Sequence, residues 1–167
     1  MRALYLRKLR GLVRKYGSEN IVYFDESGFK SDDYRTHGWA KRGKKVHGDI
    51  CGNRRKTTNL IMAQRGKEWL APMLFKASCT AQTVLAWLGK MLLKEITRPS
   101  VIIMDNAAFH RKEKIRELLE KAGHTLLCLP PYSPDLNPIE QSFAVIKKRR
   151  QFFKGENALE TILNGNL

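Results

Sequence analysis

Four carboxylates stand where a short apolar run ends or a helix begins. Asp25 and Glu26 close IVYFDES, Asp105 closes VIIMD, and Glu140 falls in the first turn of IEQSFAVIKKRR. In a mixed sheet, groups at the carboxyl ends of strands gather on one rim, and a helix crossing that rim adds one more. Gathering several acids is unfavourable unless a cation neutralises them. Mg2+ takes few carboxylates together with substrate phosphates. Two such ions about 3.5–4 Å apart activate the attacking oxygen and stabilise the leaving one in phosphoryl transfer. Each acid singly has a plainer explanation: Asp105 with Asn106 suits a turn or a cap, and Glu140 suits the positive end of a helix dipole. Joint placement on one rim is what separates the two.

The elements that must position these acids are legible from periodicity. The first 17 residues carry Leu6, Leu9, Val13 and Tyr16 at helical spacing, with Arg and Lys between them and Gly17 closing the run. IVYFDES is a strand ending in acids. Trp39 to Asn53 is rich in Gly and Lys and suits a hairpin. TTNLIMAQ and APMLFKAS predict two further strands, with the turn between them in QRGKEW. From Thr80 to Ile96, Val84, Leu85, Leu88, Leu92 and Ile96 share one helical face, with Thr80 as N-cap and Pro99 beyond the end. VIIMD is apolar throughout until its acid, as in a strand buried on both faces. RKEKIRELLEKAG is an amphipathic helix with Gly123 past its end. HTLLCLP is a strand, and Ile139, Phe143 and Ile146 form the apolar stripe of a last helix. The order predicts an α/β fold: a mixed five-stranded sheet, its first three strands antiparallel, flanked by helices. Asp25 and Asp105 are expected on neighbouring strands.

Charge narrows the partner. The 167 residues contain 31 Lys and Arg against 16 Asp and Glu, a formal net charge of +15. A basic folded domain of this kind points to a polyanion, usually nucleic acid. The excess is clustered: Lys41, Arg42, Lys44, Lys45, Arg54, Arg55, Lys56, Arg65 and Lys67 face one interior acid, Asp49, and Lys147, Lys148, Arg149 and Arg150 are consecutive. The two clusters are expected to grip phosphates, whereas the mixed stretch RKEKIRELLEK is a solvated helix face. The hydrophobic fraction of 43% excludes a disordered basic tail, and no apolar run is long enough to span a membrane. Cys51, Cys79 and Cys128 are scattered and odd in number, which suits a reducing compartment: the interior of a bacterium, or a nucleus.

Other constellations are weaker. His47 and Cys51, with Cys79 and Cys128 remote, lack zinc-finger spacing. His37 and His124 are expected to be surface or loop histidines. Trp39 is available for stacking on bases, whereas Trp69 and Trp87 suit packing. No Gly-rich triphosphate loop is present, so no NTP is implied.

DESGF at Asp25, MDNAAFH from Met104 to His110, and LPPYSPDLNPIE from Leu129 to Glu140 together resemble the DDE transposases of the mariner superfamily, most closely the bacterial insertion-sequence branch. The 34 residues between Asp105 and Glu140 are similar to that family's spacing, and HGWAKRGKKV resembles the segment after the first acid in that branch. The likeness runs from about Ile21 to Arg150. It implies an RNase H-like fold, Mg2+ or Mn2+ as cofactor, and DNA strand cleavage followed by strand transfer that moves an insertion sequence. Asp25, Asp105 and Glu140 match the three catalytic, metal-binding acids, and Glu26 is a neighbour of the first. Asn106 and His110 match the family's supporting pattern, expected to orient the second acid or touch the scissile phosphate. Asn137 and Pro138 are expected to lead into the last helix, with Pro138 near its first position. Phe143 stands where many relatives carry Trp.

Full family members carry an N-terminal helix-turn-helix region, whereas here residues 1–17 supply one basic helix ahead of a catalytic domain over 18–167. The expectation is a catalytic-domain fragment or a split reading frame, acting in the bacterial cytoplasm on the chromosome. Its partners would be DNA (element ends and target), with a second copy of the chain and a separate N-terminal DNA-binding polypeptide as further candidates, and no membrane. The competing reading is a catalytically silent remnant that only binds DNA. A different RNase H-like nuclease is disfavoured by the motifs. With the first helix as the only element left to enter a groove, little preference for terminal repeats is expected.

Overall fold

A basic helix leads into the sheet. The structure, a computed structural model, describes residues 1–30, 39–45, 47, 57–106, 111–152 and 157–165. α1 (Arg2–Tyr16) ends at Gly17, whose φ of 86° is open to glycine and whose N–H caps Val13 O at 2.9 Å. A 3-10 turn over Ser18–Asn20 then enters β1 (Ile21–Lys30). β2 (Thr57–Arg65) and β3 (Glu68–Phe75) follow as a hairpin turning at Gly66, with φ of 59°. α2 (Ala81–Trp87) runs through a π turn at Leu88–Leu92 into α3 (Leu93–Glu95). Then come β4 (Val101–Met104), α4 (Lys112–Lys121), β5 (Thr125–Cys128), a 3-10 turn over Pro134–Leu136, α5 (Ile139–Arg150) and α6 (Ala158–Leu163).

The five strands form one sheet in the order β3-β2-β1-β4-β5. β1 pairs antiparallel with β2, and β2 with β3, whereas β4 is parallel to both β1 and β5. This is the mixed five-stranded RNase H-like arrangement expected from the sequence, with β1 and β4 as neighbours. Helices cover both faces. On one, α2, its π turn and α4 set Val84, Trp87, Leu92, Ile115 and Leu119 against Val22, Phe24, Ile102 and Met104. On the other, α5 and α6 bring Ile139, Phe143, Ile146, Leu159 and Ile162 onto Phe29, Leu60 and Met62. α1 lies on that second side, with Tyr5, Leu6, Leu9, Val13 and Tyr16 packed against Ile21, Val101 and Ile103. The apolar stripe of the first helix is therefore covered by the sheet itself. β4 is buried along its whole length, as its run of Val and Ile required.

Several details depart from the sequence reading. β3 begins at Glu68, not Ala71, because the short turn lets Arg65 pair with Glu68 in the ladder and through an ion pair of 2.8 Å. The register then shifts between Ile61 and Ala63, opposite Ala71 and Pro72. Pro72 has no N–H to give, and the edge position of β3 tolerates the resulting bulge. Ala71 adopts a φ of 48°, its N–H donating to Glu95 Oε2 at 3.0 Å and its carbonyl accepting from Trp87 Nε1 at 2.7 Å. Thr80 does cap α2, its hydroxyl accepting from Thr83 N–H at 3.2 Å. The helix expected from there to Ile96 is interrupted by the π turn. His124 stands in the loop before β5, within the surface-or-loop expectation, yet it is buried: its Nδ1 accepts from Ser100 N–H at 3.2 Å, and burial lowers its pKa. Of the hairpin expected from Trp39 to Asn53, residues 39–45 and 47 are described and hold a turn closed by Lys44 N–H to Lys41 O at 2.9 Å, with no strand among them; residues 46 and 48–53 lie outside the described residues, as does His37.

Candidate active site

Strand alternation decides which way each acid points. Along β1, Val22 and Phe24 face α2, whereas Ile21, Tyr23 and Phe29 face α1 and α5. Asp25 has the parity of the second group and Glu26 that of the first. β4 runs parallel with Tyr23 opposite Ile103. Two residues further along each chain stand Asp25 and Asp105, on the same side of the sheet. Asp105 follows the last residue of β4 directly. Glu140 lies in the first turn of α5, which packs on that side. The three acids and Glu26 line one cleft of about 510 Å³, together with Asn106, Asn137 and the turn from Leu129 to Pro134.

The electrostatics carry the mark of this crowding. Asp25 Oδ1 accepts from Glu26 N–H at 2.7 Å, and Oδ2 accepts from Asn137 Nδ2 at 2.9 Å. Despite these bonds its pKa is raised from 3.8 to about 8, chiefly by burial, with the negative charges of Glu26, Asp105 and Glu140 adding to the rise. Glu26 turns to the opposite side of the sheet, where Cys79 Sγ donates to its Oε1 at 3.6 Å. The Cys79 thiol is pushed up to about 12 by burial and by Glu26, which removes it as a nucleophile at neutral pH.

A hard divalent cation suits this donor set: carboxylate oxygens, already mutually repelling, with an amide beside them. Among the described residues, however, no three His, Cys, Asp or Glu side chains are drawn together closely enough to form a ligating group.

The supporting residues divide. Asn106 lines the cleft and receives Lys112 Nζ on both its side-chain and main-chain oxygens, the latter at 3.3 Å. Asn137 joins Asp25 as above, and Pro138 is the N-cap of α5, one position earlier than expected. His110 lies outside the described residues. In the basic clusters, Lys41, Arg42, Lys44 and Lys45 are exposed, whereas Arg54, Arg55 and Lys56 are outside the described residues. Arg65 is tied to Glu68. Lys147 sits 5.7 Å over the Phe29 ring and Arg150 Nη1 donates to Lys30 O at 2.7 Å, leaving Lys148 and Arg149 exposed without such a contact among the described residues. Trp39 is exposed, Trp87 is core and Trp69 packs beside α5.

Sequence reasoning missed the anchoring of the cleft wall. Arg2 of α1 pairs with Asp135 and donates to Ser133 Oγ at 3.3 Å, so the first helix fastens the turn that lines the site. Tyr132, on the same turn, is fully exposed with a φ of 51°. Only the density of turn formers in PPYSPDLNP signalled an unusual loop; its partner in α1 is 131 residues distant in sequence.

Comparison with known proteins bears on the family and the fold. A family model described as DDE superfamily endonuclease matches residues 20–159. The Mos1 strand transfer complex aligns with 98% of this chain at a TM-score of 0.76 and 22% identity, covering 51% of the solved chain. The Mos1 mariner paired end complex with Mn gives 0.76 and 20%, covering 98% of this chain and 53% of the other. The catalytic domain of Mos1 mariner transposase gives 0.67 and 17%, covering 98% and 78%. The chain thus spans about half the length of the first of these solved proteins. No curated protein sequence matches it. No helix among the described residues is long and apolar enough to cross a membrane.

Proposed function

The chain belongs to the DDE superfamily endonucleases, and from that premise we propose that it is a transposase catalytic domain of an insertion sequence. The reaction would be cleavage of a DNA strand at the element's end and transfer of that end into target DNA, in the bacterial cytoplasm. One observation carries the reading most: Asp25, Asp105 and Glu140 come from three separate elements to one cleft, where Asp25 is held at about 8. In this proposal Asp25, Asp105 and Glu140 hold Mg2+ or Mn2+. Bound there, the metal would supply charge neutralisation at the scissile phosphate and a more acidic water. The Mos1 complexes solved with transposon ends, with Mg and with Mn support both the DNA partner and the metal.

The chain's own residues would do the remaining work. Asn106, steadied by Lys112, lies beside the second acid and offers an amide to a phosphate oxygen or to that carboxylate. Lys41, Arg42, Lys44 and Lys45, with Lys148 and Arg149, would neutralise flanking phosphates without reading sequence. The test is nicking of supercoiled DNA by the purified chain with and without Mg2+ or Mn2+, beside Asp105→Asn. Metal-dependent nicking lost in the folded variant supports the reading. Equal nicking by the variant, or none by the wild type across metals and DNA ends, refutes it.

A further inference from the structure

Asn137 is spent on something other than its helix. An Asn at a helix start ordinarily turns its side-chain oxygen back to accept an N–H of the first turn. α5 has no side-chain cap of any kind, and Glu140 N–H goes instead to the main-chain oxygen of Asn137 at 3.2 Å. The side chain, only 4% exposed, sends its Nδ2–H to Asp25 Oδ2 at 2.9 Å. Its own main-chain N–H donates to Pro134 O at 2.9 Å, which fixes the residue from the turn side. One residue therefore ties the first acid through its side chain and the third through its backbone.

The other end of the amide is the telling one. Asn137 Oδ1 is fully buried and has no hydrogen-bond partner among the described residues. Once Asp25 is ionised, as metal binding requires, reversing the amide would set this oxygen against a carboxylate oxygen, so the ionised acid dictates the orientation. Buried acceptors without partners are rare and call for a group that binds them. Asn137 lines the same cleft as Asp25, Asp105 and Glu140. A donor arriving there among carboxylates would be a water molecule in the shell of a divalent cation, whose O–H bonds are strongly polarised.

We propose that Asn137 is a positioning residue of the metal site: it holds the Asp25 carboxylate at a fixed offset from Glu140 and accepts, through Oδ1, a hydrogen bond from cation-bound water. The proposal rests on the acids being metal ligands, the reading given under the proposed function. Loss of such an outer-shell partner lowers metal affinity roughly 10–100-fold.

Mn2+ titration by calorimetry on the full chain decides it without any DNA reaction. The wild type, Asn137→Ala and Asp25→Asn are compared, with far-UV circular dichroism confirming each fold. The expected result is no measurable binding by Asp25→Asn and about 10–100-fold weaker binding by Asn137→Ala. Loss in Asp25→Asn with wild-type affinity in Asn137→Ala overturns this inference and leaves the acid site standing. Wild-type affinity in Asp25→Asn overturns the acid site itself. Should Asn137→Ala fail to fold, the wild-type side-chain amide resonances of Asn137 are followed by NMR during Mg2+ titration. A shift that saturates with binding supports the role, and resonances unmoved at saturation refute it.

Discussion

A metal that binds Asp25 must displace its proton, and this sets a pH dependence that can be worked out beforehand. A ligating carboxylate has to be ionised, so proton and metal compete for the same group. With the Asp25 pKa raised from 3.8 to about 8, the protonated form outnumbers the ionised form about tenfold at pH 7 and about a hundredfold at pH 6. Apparent affinity for Mn2+ should therefore be about 11-fold below its limit at pH 7 and about 100-fold below at pH 6, levelling above pH 8. Proton release has the same origin: close to one proton per binding event at pH 6, about half at pH 8, and almost none at pH 10. Calorimetry in two buffers of different ionisation enthalpy reads both quantities from one series. An Asp25 with the ordinary carboxylate value would give an affinity flat from pH 6 to pH 8 and no proton release. That result would refute the placement of Asp25 among three other acids, since burial and those neighbours are what raise it.

The same shift makes the metal-free fold sensitive to pH. The folded state holds a proton that the unfolded chain has lost between pH 3.8 and about 8, so stability falls as pH rises through that window, by on the order of 6 kcal/mol in all. Thermal melts from pH 5 to pH 9 should show Tm declining without metal and recovering with Mg2+; a Tm independent of pH would contradict this. Trp87→Phe removes the indole N–H that satisfies the buried Ala71 carbonyl and leaves a smaller ring in the core, a loss of about 2–4 kcal/mol in urea unfolding. Lys148→Ala with Arg149→Ala removes the two cations of the last-helix run that face solvent freely. The slope of log affinity for DNA against log salt should flatten by about 1.8, and an unchanged slope would turn that helix end away from DNA.

What the sequence disclosed, it disclosed through local pattern. VIIMD could only be a strand covered on both faces, and it is, so the acid at its end had to emerge at the rim. IVYFDES placed Asp25 on a strand, and parallel pairing with β4 then set it beside Asp105. The features that escaped depend on contacts between distant segments. α6 is six residues long, too short to hold together alone, and forms because Leu159 and Ile162 close over Phe29 and Phe143. The bulge at Ala71 needs Trp87 and Glu95 to satisfy its backbone, and neither is near it in sequence. The opposite directions of Asp25 and Glu26 were implicit in alternation, yet the face each served became known only once α5 and α2 were assigned to sides.

The last helix shows how one element can carry two functions without conflict. Glu140 occupies its first turn, where a negative charge meets the positive end of the dipole, and Lys147 to Arg150 occupy its last, where cations meet the negative end. Each charge is locally favourable before any metal or DNA is considered, so helix propensity alone cannot distinguish function from ordinary dipole matching. The distinction comes from the surroundings of the helix ends. At the start, the acid faces two others from neighbouring strands across a shared cleft, which is costly and has no structural use. At the far end, two of the four cations already have partners in β1, and among the described residues only Lys148 and Arg149 are spare. The acid end therefore argues for chemistry much more strongly than the basic end argues for DNA. A metal titration is accordingly the sharper first experiment, and the salt dependence of DNA binding the second.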